Sequence, residues 1–227
     1  MMKLTAADGH EFGTFEAGNV NAPRGLVVVQ EIFGVNAHMR AVSERLAGYG
    51  YRVLCPALFD RAERNVDLGY EQADVQRGIT LRAKIPEAQT LLDLEATAAA
   101  FSGKPVGIIG YCWGGTLSWL AATKTTSFWA ASCWYGAGIA AQKNNVPNCP
   151  VQMHFGEKDQ GIPLKDVEEI RAAQPGLDIF TYPGAEHGFG CEARASYCPN
   201  DCELAELRSL TFFAEHVRAL EHASGYR

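Results

Sequence analysis

The chain has 227 residues, the length of one α/β domain that can bury well over half of its unfolded surface. Hydrophobic residues make up 47% and charged residues 20%, which is ordinary globular usage and excludes a disordered chain. A formal net charge of −6 without a basic stripe argues against nucleic-acid binding. We therefore expect a single domain over residues 1–227 with no nucleic-acid partner.

The apolar runs and the cysteine count place the chain among intracellular proteins. No run approaches the roughly 20 apolar residues that a membrane span needs, and residues 1–18 lack the apolar segment of a secretory signal. Seven cysteines are an odd number in a domain able to build its own core, which favours free thiols over a disulfide framework. We expect a cytoplasmic protein without a membrane partner.

Short apolar runs rich in β-branched residues alternate along the chain with segments of helical period. This alternation predicts βαβ units and a mainly parallel sheet. Helices are predicted after Asn36, from Pro86, near Pro163 and at the end of the chain. The predicted strands are residues 25–30, 51–55, 104–110, 129–135, 150–155 and 177–182.

Two segments stand apart from this alternation. Residues 60–85 carry several charges with weak periodicity, which predicts a cap or loop excursion above the sheet and a candidate binding segment. The final helix carries an apolar stripe, which we expect to face the core because apolar helix faces usually pack inward. The stripe consists of Leu207, Leu210, Phe213, Val217 and Leu220.

A cysteine lies between a predicted strand and a predicted helix, in the sequence Gly110-Tyr-Cys112-Trp-Gly114. This is the setting of a nucleophile elbow, where the strained turn needs small flanking residues. The following helix directs its N-terminus at Cys112, which favours a thiolate and an oxyanion. A buried structural role is the alternative for Cys112. For three other cysteines we expect that structural role: Cys55, Cys133 and Cys149.

A cysteine nucleophile needs a base and an acid that orients the base. In this fold they follow the nucleophile in the order acid, histidine, each in a loop after a later strand. Asp159 and His187 occupy such loops, which predicts a Cys112–His187–Asp159 triad. Glu157 is the substitute if Asp159 is only a turn residue. Among the other histidines we expect His154 in the core and four at the periphery: His10, His38, His216 and His222.

These residues resemble those of the dienelactone hydrolases, also called carboxymethylenebutenolidases. The likeness extends from about residue 25 to the final helix. It is carried by Gln30-Glu31-Ile-Phe-Gly34, Gly110-Tyr-Cys112-Trp-Gly-Gly115, Tyr135-Gly136, Gly156-Glu-Lys-Asp159 and His187-Gly-Phe189. The resemblance implies an α/β-hydrolase fold, with a mainly parallel, doubly wound sheet flanked by helices. It also implies hydrolysis of an ester or lactone, most of all dienelactone, through a thioester acyl-enzyme without metal or organic cofactor.

The resemblance also assigns roles around the nucleophile. Glu31 is expected to contact the Cys112 thiol and keep it protonated until an anionic substrate displaces the carboxylate, whereas the alternative for Glu31 is a surface acid. The backbone N–H groups of Ile32 and Trp113 are the expected oxyanion hole of this fold.

The small anionic ester or lactone that we expect as substrate would be held by arginines in this family. Cys191 stands four positions after His187, where the family has one of those arginines, and Arg194 is the nearest substitute. Arg77 and Arg82 are the candidates in the cap region, and Tyr135 is a further candidate. The expected assembly is a monomer or a small homo-oligomer.

Two other functions remain open from the sequence. A broader carboxylesterase or thioesterase would use the same triad. A zinc or redox protein would instead use Cys191, Cys198 and Cys202, with or without His187. The spacing of these cysteines lacks the paired short intervals typical of structural zinc sites.

Overall fold

The structure is a computed structural model that describes the backbone of residues 1–223 and the side chains of residues 1–217. Its strands are β1 Met2–Thr5, β2 Glu11–Ala17, β3 Gly25–Val29, β4 Arg52–Pro56, β5 Val106–Tyr111, β6 Ala131–Trp134, β7 Val151–Gly156 and β8 Asp178–Tyr182. Its helices are α1 Ala37–Ala47, α2 Gln72–Arg82, α3 Glu87–Ala99, α4 Trp113–Lys124, α5 Leu164–Ala173 and α6 Pro199–Ala223. Short 3₁₀ helices span Leu58–Arg61 and Ala137–Gln142.

The described strands form one sheet in the order β1-β2-β4-β3-β5-β6-β7-β8. The six strands from β4 to β8 are parallel, whereas β1 and β2 add an antiparallel edge beside β4. Each of the six predicted strands is present. The sequence prediction missed β1 and β2, because these short, half-exposed strands alternate apolar residues with charged residues and glycine.

The centre of the sheet is apolar on both faces. All five residues of β3 and all six of β5 are buried, as expected for parallel strands covered by helices on both sides. Burying one valine or isoleucine side chain contributes about 1.5–3 kcal/mol. The chain leaves β3 toward β4 on one side and returns to β5 on the other side. A crevice therefore opens between the carboxyl ends of β3 and β5, where α/β proteins bind ligands.

Residues 60–85 contain the end of the first 3₁₀ helix and all of α2. This segment packs directly onto the loop after β3. A Cβ at Gly78 of α2 would overlap the carbonyl oxygen of Ile32, so the close approach of α2 depends on glycine at this position. The excursion is therefore a helix seated on the loop that carries Glu31 and Ile32.

The expected apolar stripe of α6 is only partly correct. Phe213 and Val217 are buried and Leu210 is half-buried, but Leu207 is 62% exposed. The buried face near the start of α6 consists instead of Cys202, Ala205, Ser209 and Phe212. Leu207 lies two residues before Ser209, which places it about 200° around the helix from that face. The side chain of Leu220 lies outside the described residues.

Candidate active site

The nucleophile elbow has the strand–turn–helix geometry that the sequence predicts. Cys112 follows β5 and immediately precedes α4, with a φ of 55° and a ψ of −115°. A Cβ at Gly110 would overlap the carbonyl oxygen of Gly114, and one at Gly114 would overlap that of Val29. The backbone amide of Cys112 donates to the Trp134 carbonyl at 3.0 Å, which fixes the turn against β6. Both flanking glycines are therefore needed for the strained turn.

His187 lies between the Cys112 thiol and the Asp159 carboxylate. Its Nε2 is 3.1 Å from Cys112 Sγ, and its Nδ1 is 2.7 Å from Asp159 Oδ2. Two backbone hydrogen bonds join the loops after β7 and β8, from Glu157 N to Tyr182 O at 3.1 Å and from Lys158 N to Ala185 O at 2.9 Å. The structure thus brings the three residues of the predicted triad into one hydrogen-bonded row.

Asp159, and not Glu157, is the carboxylate beside His187. Asp159 is buried, and its second oxygen accepts the amide of Gly161 at 2.8 Å. Glu157 is exposed and accepts a hydrogen bond from the Thr181 hydroxyl at 3.0 Å. The imidazole is therefore oriented by a buried acceptor that is itself held in place.

Two opposing effects act on the charge of His187. Burial disfavours the imidazolium, but the adjacent Cys112 sulfur and Asp159 carboxylate outweigh burial and raise the pKa of His187 to about 10. The raised pKa keeps the His187 imidazole protonated at neutral pH, with its Nε2 3.1 Å from the Cys112 sulfur. The site thus places a positive charge beside the nucleophile.

The expected oxyanion donors lie just beyond the carboxyl ends of β3 and β5, the two strands that flank the crevice. Trp113 is the first residue of α4, where an amide has no acceptor within the helix. Ile32 lies in the loop after β3, which Gln30 holds by its side chain. That amide donates to Glu31 O at 3.1 Å and accepts from Leu58 N at 3.0 Å. Both backbone N–H groups therefore come from restrained segments.

Tyr135 follows β6 and lies against the histidine. It has a φ of 37°, and its ring meets the His187 ring edge-on at 5.3 Å between centroids. Its buried hydroxyl has no hydrogen-bond partner among the described residues. Burial, assisted by the charge of Glu31, raises the pKa of Tyr135 well above its ordinary value, so the phenol remains a neutral donor.

Glu31 is completely buried, which rules out the alternative of a surface acid. Neither of its carboxylate oxygens has a hydrogen-bond partner within the described residues. The expected contact between Glu31 and the Cys112 thiol is therefore wrong for this structure, in which Cys112 Sγ lies beside His187 Nε2. Arg194 Nη1 approaches Glu31 Oε1 at 4.0 Å, and the Arg194 guanidinium lies 5.9 Å from the centre of the Phe33 ring. Burial raises the pKa of Glu31, and the charges of Arg194 and His187 offset part of this rise.

The three candidate arginines lie in different surroundings. Arg77 and Arg82 are exposed on α2, where Arg77 pairs with Glu63. Of the three, Arg194 has its guanidinium beside Glu31, and its side chain is 24% exposed.

Sequence reasoning missed a cluster beside Glu31. His38 was expected at the periphery, but this is wrong: His38 is buried in the first turn of α1. One nitrogen of His38, the Cys191 sulfur and a Glu31 oxygen lie within 4.8 Å of one another. His38 lies four residues before the apolar Val42, on the same face of α1, and this helical spacing contained the signal.

The cysteines other than Cys112 and Cys191 are core residues or are hydrogen-bonded within the protein. All seven cysteines are free, Cys55 and Cys133 are buried, and Cys149 is half-buried. Cys198 donates to Asp201 Oδ2 at 3.1 Å and Cys202 to Gly190 O at 3.7 Å. Among the described residues the grouped metal-binding atoms are those of Glu31, His38 and Cys191, and not three cysteine thiols.

His154 is a core residue, as predicted. It is fully buried and hydrogen-bonded to the side chains of Tyr182, Gln152 and Ser209. Burial lowers the pKa of His154 to about 3. His10 and His216 are half-exposed, and the side chain of His222 lies outside the described residues.

The parallel sheet, its flanking helices and the residues at the strand ends define an α/β-hydrolase fold. The model of the dienelactone hydrolase family matches residues 12–217. The chain therefore belongs to the dienelactone hydrolase family and is a hydrolase of that type. In the part of the chain that the structure describes, every helix is too short or too polar to cross a membrane.

Named relatives agree with this assignment. The chain is 31% identical over 225 residues to a carboxymethylenebutenolidase of Pseudomonas putida, covering 94% of this chain and 95% of that protein. It is 38% identical over 192 residues to a provisionally named carboxymethylenebutenolidase of Synechocystis sp., covering 76% of this chain and 78% of that protein. A crystal structure of a provisionally named dienelactone hydrolase from Klebsiella pneumoniae has a TM-score of 0.78 at 31% identity, covering 93% and 97% of the two chains.

Proposed function

We propose that this protein hydrolyses esters or lactones through a Cys112–His187–Asp159 triad and a thioester intermediate, with dienelactone as the leading substrate. The observation that carries the proposal is the hydrogen-bonded row from the Cys112 thiol through His187 to Asp159. This arrangement supplies a nucleophile, a base and an orienting acid within hydrogen-bond reach of one another.

In the first half-reaction, Cys112 Sγ attacks the substrate carbonyl carbon, and the N–H groups of Ile32 and Trp113 stabilise the oxyanion. The tetrahedral intermediate collapses with cleavage of the bond to the ester oxygen, and His187 donates a proton to the leaving alkoxide. The product of this step is a thioester on Cys112. His187 then removes a proton from water, the resulting hydroxide attacks the thioester, and the Cys112 thiolate leaves.

The preference for an anionic substrate rests on Arg194. Its side chain is partly exposed, and its contacts with Glu31 at 4.0 Å and with the Phe33 ring at 5.9 Å leave the guanidinium able to pair with a substrate carboxylate. The name carboxymethylenebutenolidase, carried by the relatives, describes a lactone with a carboxylate-bearing substituent. A broader carboxylesterase or thioesterase on the same residues would show no such preference.

A substrate panel tests this point. We expect kcat/KM for dienelactone to exceed that for neutral aryl esters, and Arg194→Gln to reduce the ratio at least about tenfold, because one charged pair is lost. Arg77→Gln is the matched control, since Arg77 is exposed and paired with Glu63. Equal turnover of both substrate classes by the unmodified protein would favour the broader esterase.

Glu31 is proposed as a gate on the nucleophile, as the family resemblance implies. A carboxylate beside a thiol opposes formation of the thiolate, whereas His187 favours it. When an anionic substrate engages Arg194, Glu31 loses the larger of the two positive charges that act on it, and the displaced carboxylate no longer opposes the thiolate. Before substrate binds, Glu31 would keep Cys112 more protonated, and so less open to oxidation, than the His187 contact alone would.

Replacing Glu31 by glutamine is expected to raise the rate of Cys112 alkylation by iodoacetamide at neutral pH, because the opposing charge is removed. Turnover is expected to fall, because the substrate-triggered release of the thiolate would be lost. The measurement is the alkylation rate against pH in both proteins, with peptide mapping to separate Cys112 from the other six thiols. An unchanged profile would refute the gate.

A further inference from the structure

Three buried side chains that can each bind a metal ion meet beside the candidate active site. Glu31 follows β3, His38 lies in the first turn of α1, and Cys191 lies in the loop after β8. One ligand atom from each lies within 4.8 Å of the other two. Their exposed fractions are 0%, 7% and 0%. Three separate elements thus converge on one enclosed point.

Two of the three side chains, Glu31 and His38, have polar atoms without a partner of normal hydrogen-bond geometry, whereas the Cys191 thiol interacts with Tyr70 and Glu31. Neither carboxylate oxygen of Glu31 nor Nε2 of His38 has a hydrogen-bond partner among the described residues. Buried polar atoms are normally satisfied, because removing them from water without a partner is unfavourable. An ion that coordinates these atoms would supply the missing interaction. The cluster therefore has the properties of a binding site and not of ordinary core packing.

The donor atoms select the ion. A carboxylate oxygen, an imidazole nitrogen and a thiolate sulfur are the ligand set that Zn²⁺ accepts, whereas Ca²⁺ and Mg²⁺ prefer oxygen alone. Ligand atoms of a tetrahedral zinc site are roughly 3.5 Å apart, so small side-chain rotations would complete the geometry. We propose that Glu31, His38 and Cys191 bind Zn²⁺, and that the ion regulates the hydrolase without taking part in its chemistry.

Zinc binds the neutral imidazole of histidine and the thiolate of cysteine, so the Cys191 thiol must release a proton when zinc binds. Calorimetry in buffers of different ionisation enthalpy would detect this proton.

Arg194 pairs with Glu31 and is one of three positive groups that oppose a cation here, since His187 also acts on Glu31 and Arg45 acts on His38. Arg194 lies 4.0 Å from Glu31 and is 24% exposed. Together with Tyr70, Glu71 and Glu186 it lines a surface concavity of about 560 Å³. The guanidinium can turn into this space, where the two glutamates offer it carboxylates. The concavity is thus the proposed entry path for the ion.

The regulatory part of the inference rests on the proposed function. A zinc ion on Glu31 would hold the gate carboxylate and displace Arg194, so hydrolysis of an anionic substrate should fall. Binding itself is measured without activity. Failure of the hydrolase proposal therefore leaves the test of the metal site intact.

The test is titration of the metal-free full chain with Co²⁺ and then Zn²⁺. We expect a thiolate-to-cobalt absorption band at one ion per chain, which Zn²⁺ abolishes by displacement. Cys191→Ser should lose the band and lower zinc affinity by at least about 100-fold, because a direct ligand is removed. His38→Gln should lower the affinity by about 10-fold or more. The Tm of the unmodified chain should rise by about 5–10 °C when the free zinc concentration is roughly 100 times the Kd.

Matched variants locate the ion. Cys112→Ala and Cys198→Ser should keep the cobalt band, and thermal unfolding of the metal-free variants establishes that each is folded. Absence of the band in the unmodified chain would overturn the proposal. A band that survives in Cys191→Ser but disappears in Cys112→Ala would also overturn it, since the ion would then lie between Cys112 and His187. Zinc bound at Cys191 with unchanged hydrolysis would overturn the regulatory role.

Discussion

Cys112→Ala is expected to lower kcat/KM for dienelactone by roughly 10⁴-fold or more, because no other group can form the thioester. The fold should be unaffected. Alanine and cysteine both carry a Cβ, so the strained turn at a φ of 55° costs the two residues the same. Kinetics with dienelactone and thermal unfolding of both proteins measure the two effects.

Two further variants complete this experiment. Cys198→Ala removes a thiol that donates to Asp201, outside the triad, and should retain full turnover. Cys112→Ser keeps a nucleophile at the elbow and should retain a small residual rate. Full activity of Cys112→Ala in the presence of an intact fold would refute the assignment of the nucleophile.

His187→Ala is expected to lower kcat by roughly 10³- to 10⁵-fold, because both proton transfers lose their donor and acceptor. Asp159→Asn should cost somewhat less, since the imidazole remains in place but loses the buried carboxylate that sets its tautomer. The double variant should be little worse than His187→Ala, because the triad acts as a unit. Single-turnover kinetics would separate acylation from deacylation.

Glu157→Gln is the matched control for Asp159→Asn. Glu157 lies two residues away on the same loop, but it is exposed and bound by Thr181. Its replacement should change kcat by less than about twofold. A large loss in Glu157→Gln together with retained activity in Asp159→Asn would contradict the hydrogen-bonded row seen in the structure.

Local sequence signals were sufficient for the central sheet and the elbow. Residues 25–29 and 106–111 are continuous apolar runs, which indicate strands covered on both faces. Glycines at both sides of Cys112 indicate a strained turn, and the structure shows which carbonyl groups make them necessary. Asp159 and His187 were predicted from their loops, because the ends of parallel strands meet at one edge of the sheet.

Other features depend on tertiary contacts that no local pattern specifies. The environment of Cys191 beside Glu31 and His38 arises from segments distant in the sequence. Leu207 was placed on the wrong face because the buried face of α6 is formed by small and polar residues, such as Ala205 and Ser209, as well as by apolar ones. The partner of Arg194 depends on how the loop after β8 folds back over Phe33.

The contact between Gly78 of α2 and the Ile32 carbonyl limits how substrate selectivity can evolve or be engineered in this protein. Any larger residue at position 78 would push α2 and the loop after β3 apart. That movement would also displace the backbone N–H of Ile32, the expected oxyanion donor. Changes on the outward side of α2 leave this contact unaltered. Exposed positions such as Arg77 and Arg82 should therefore tolerate substitution at little catalytic cost, whereas position 78 should tolerate almost no variation.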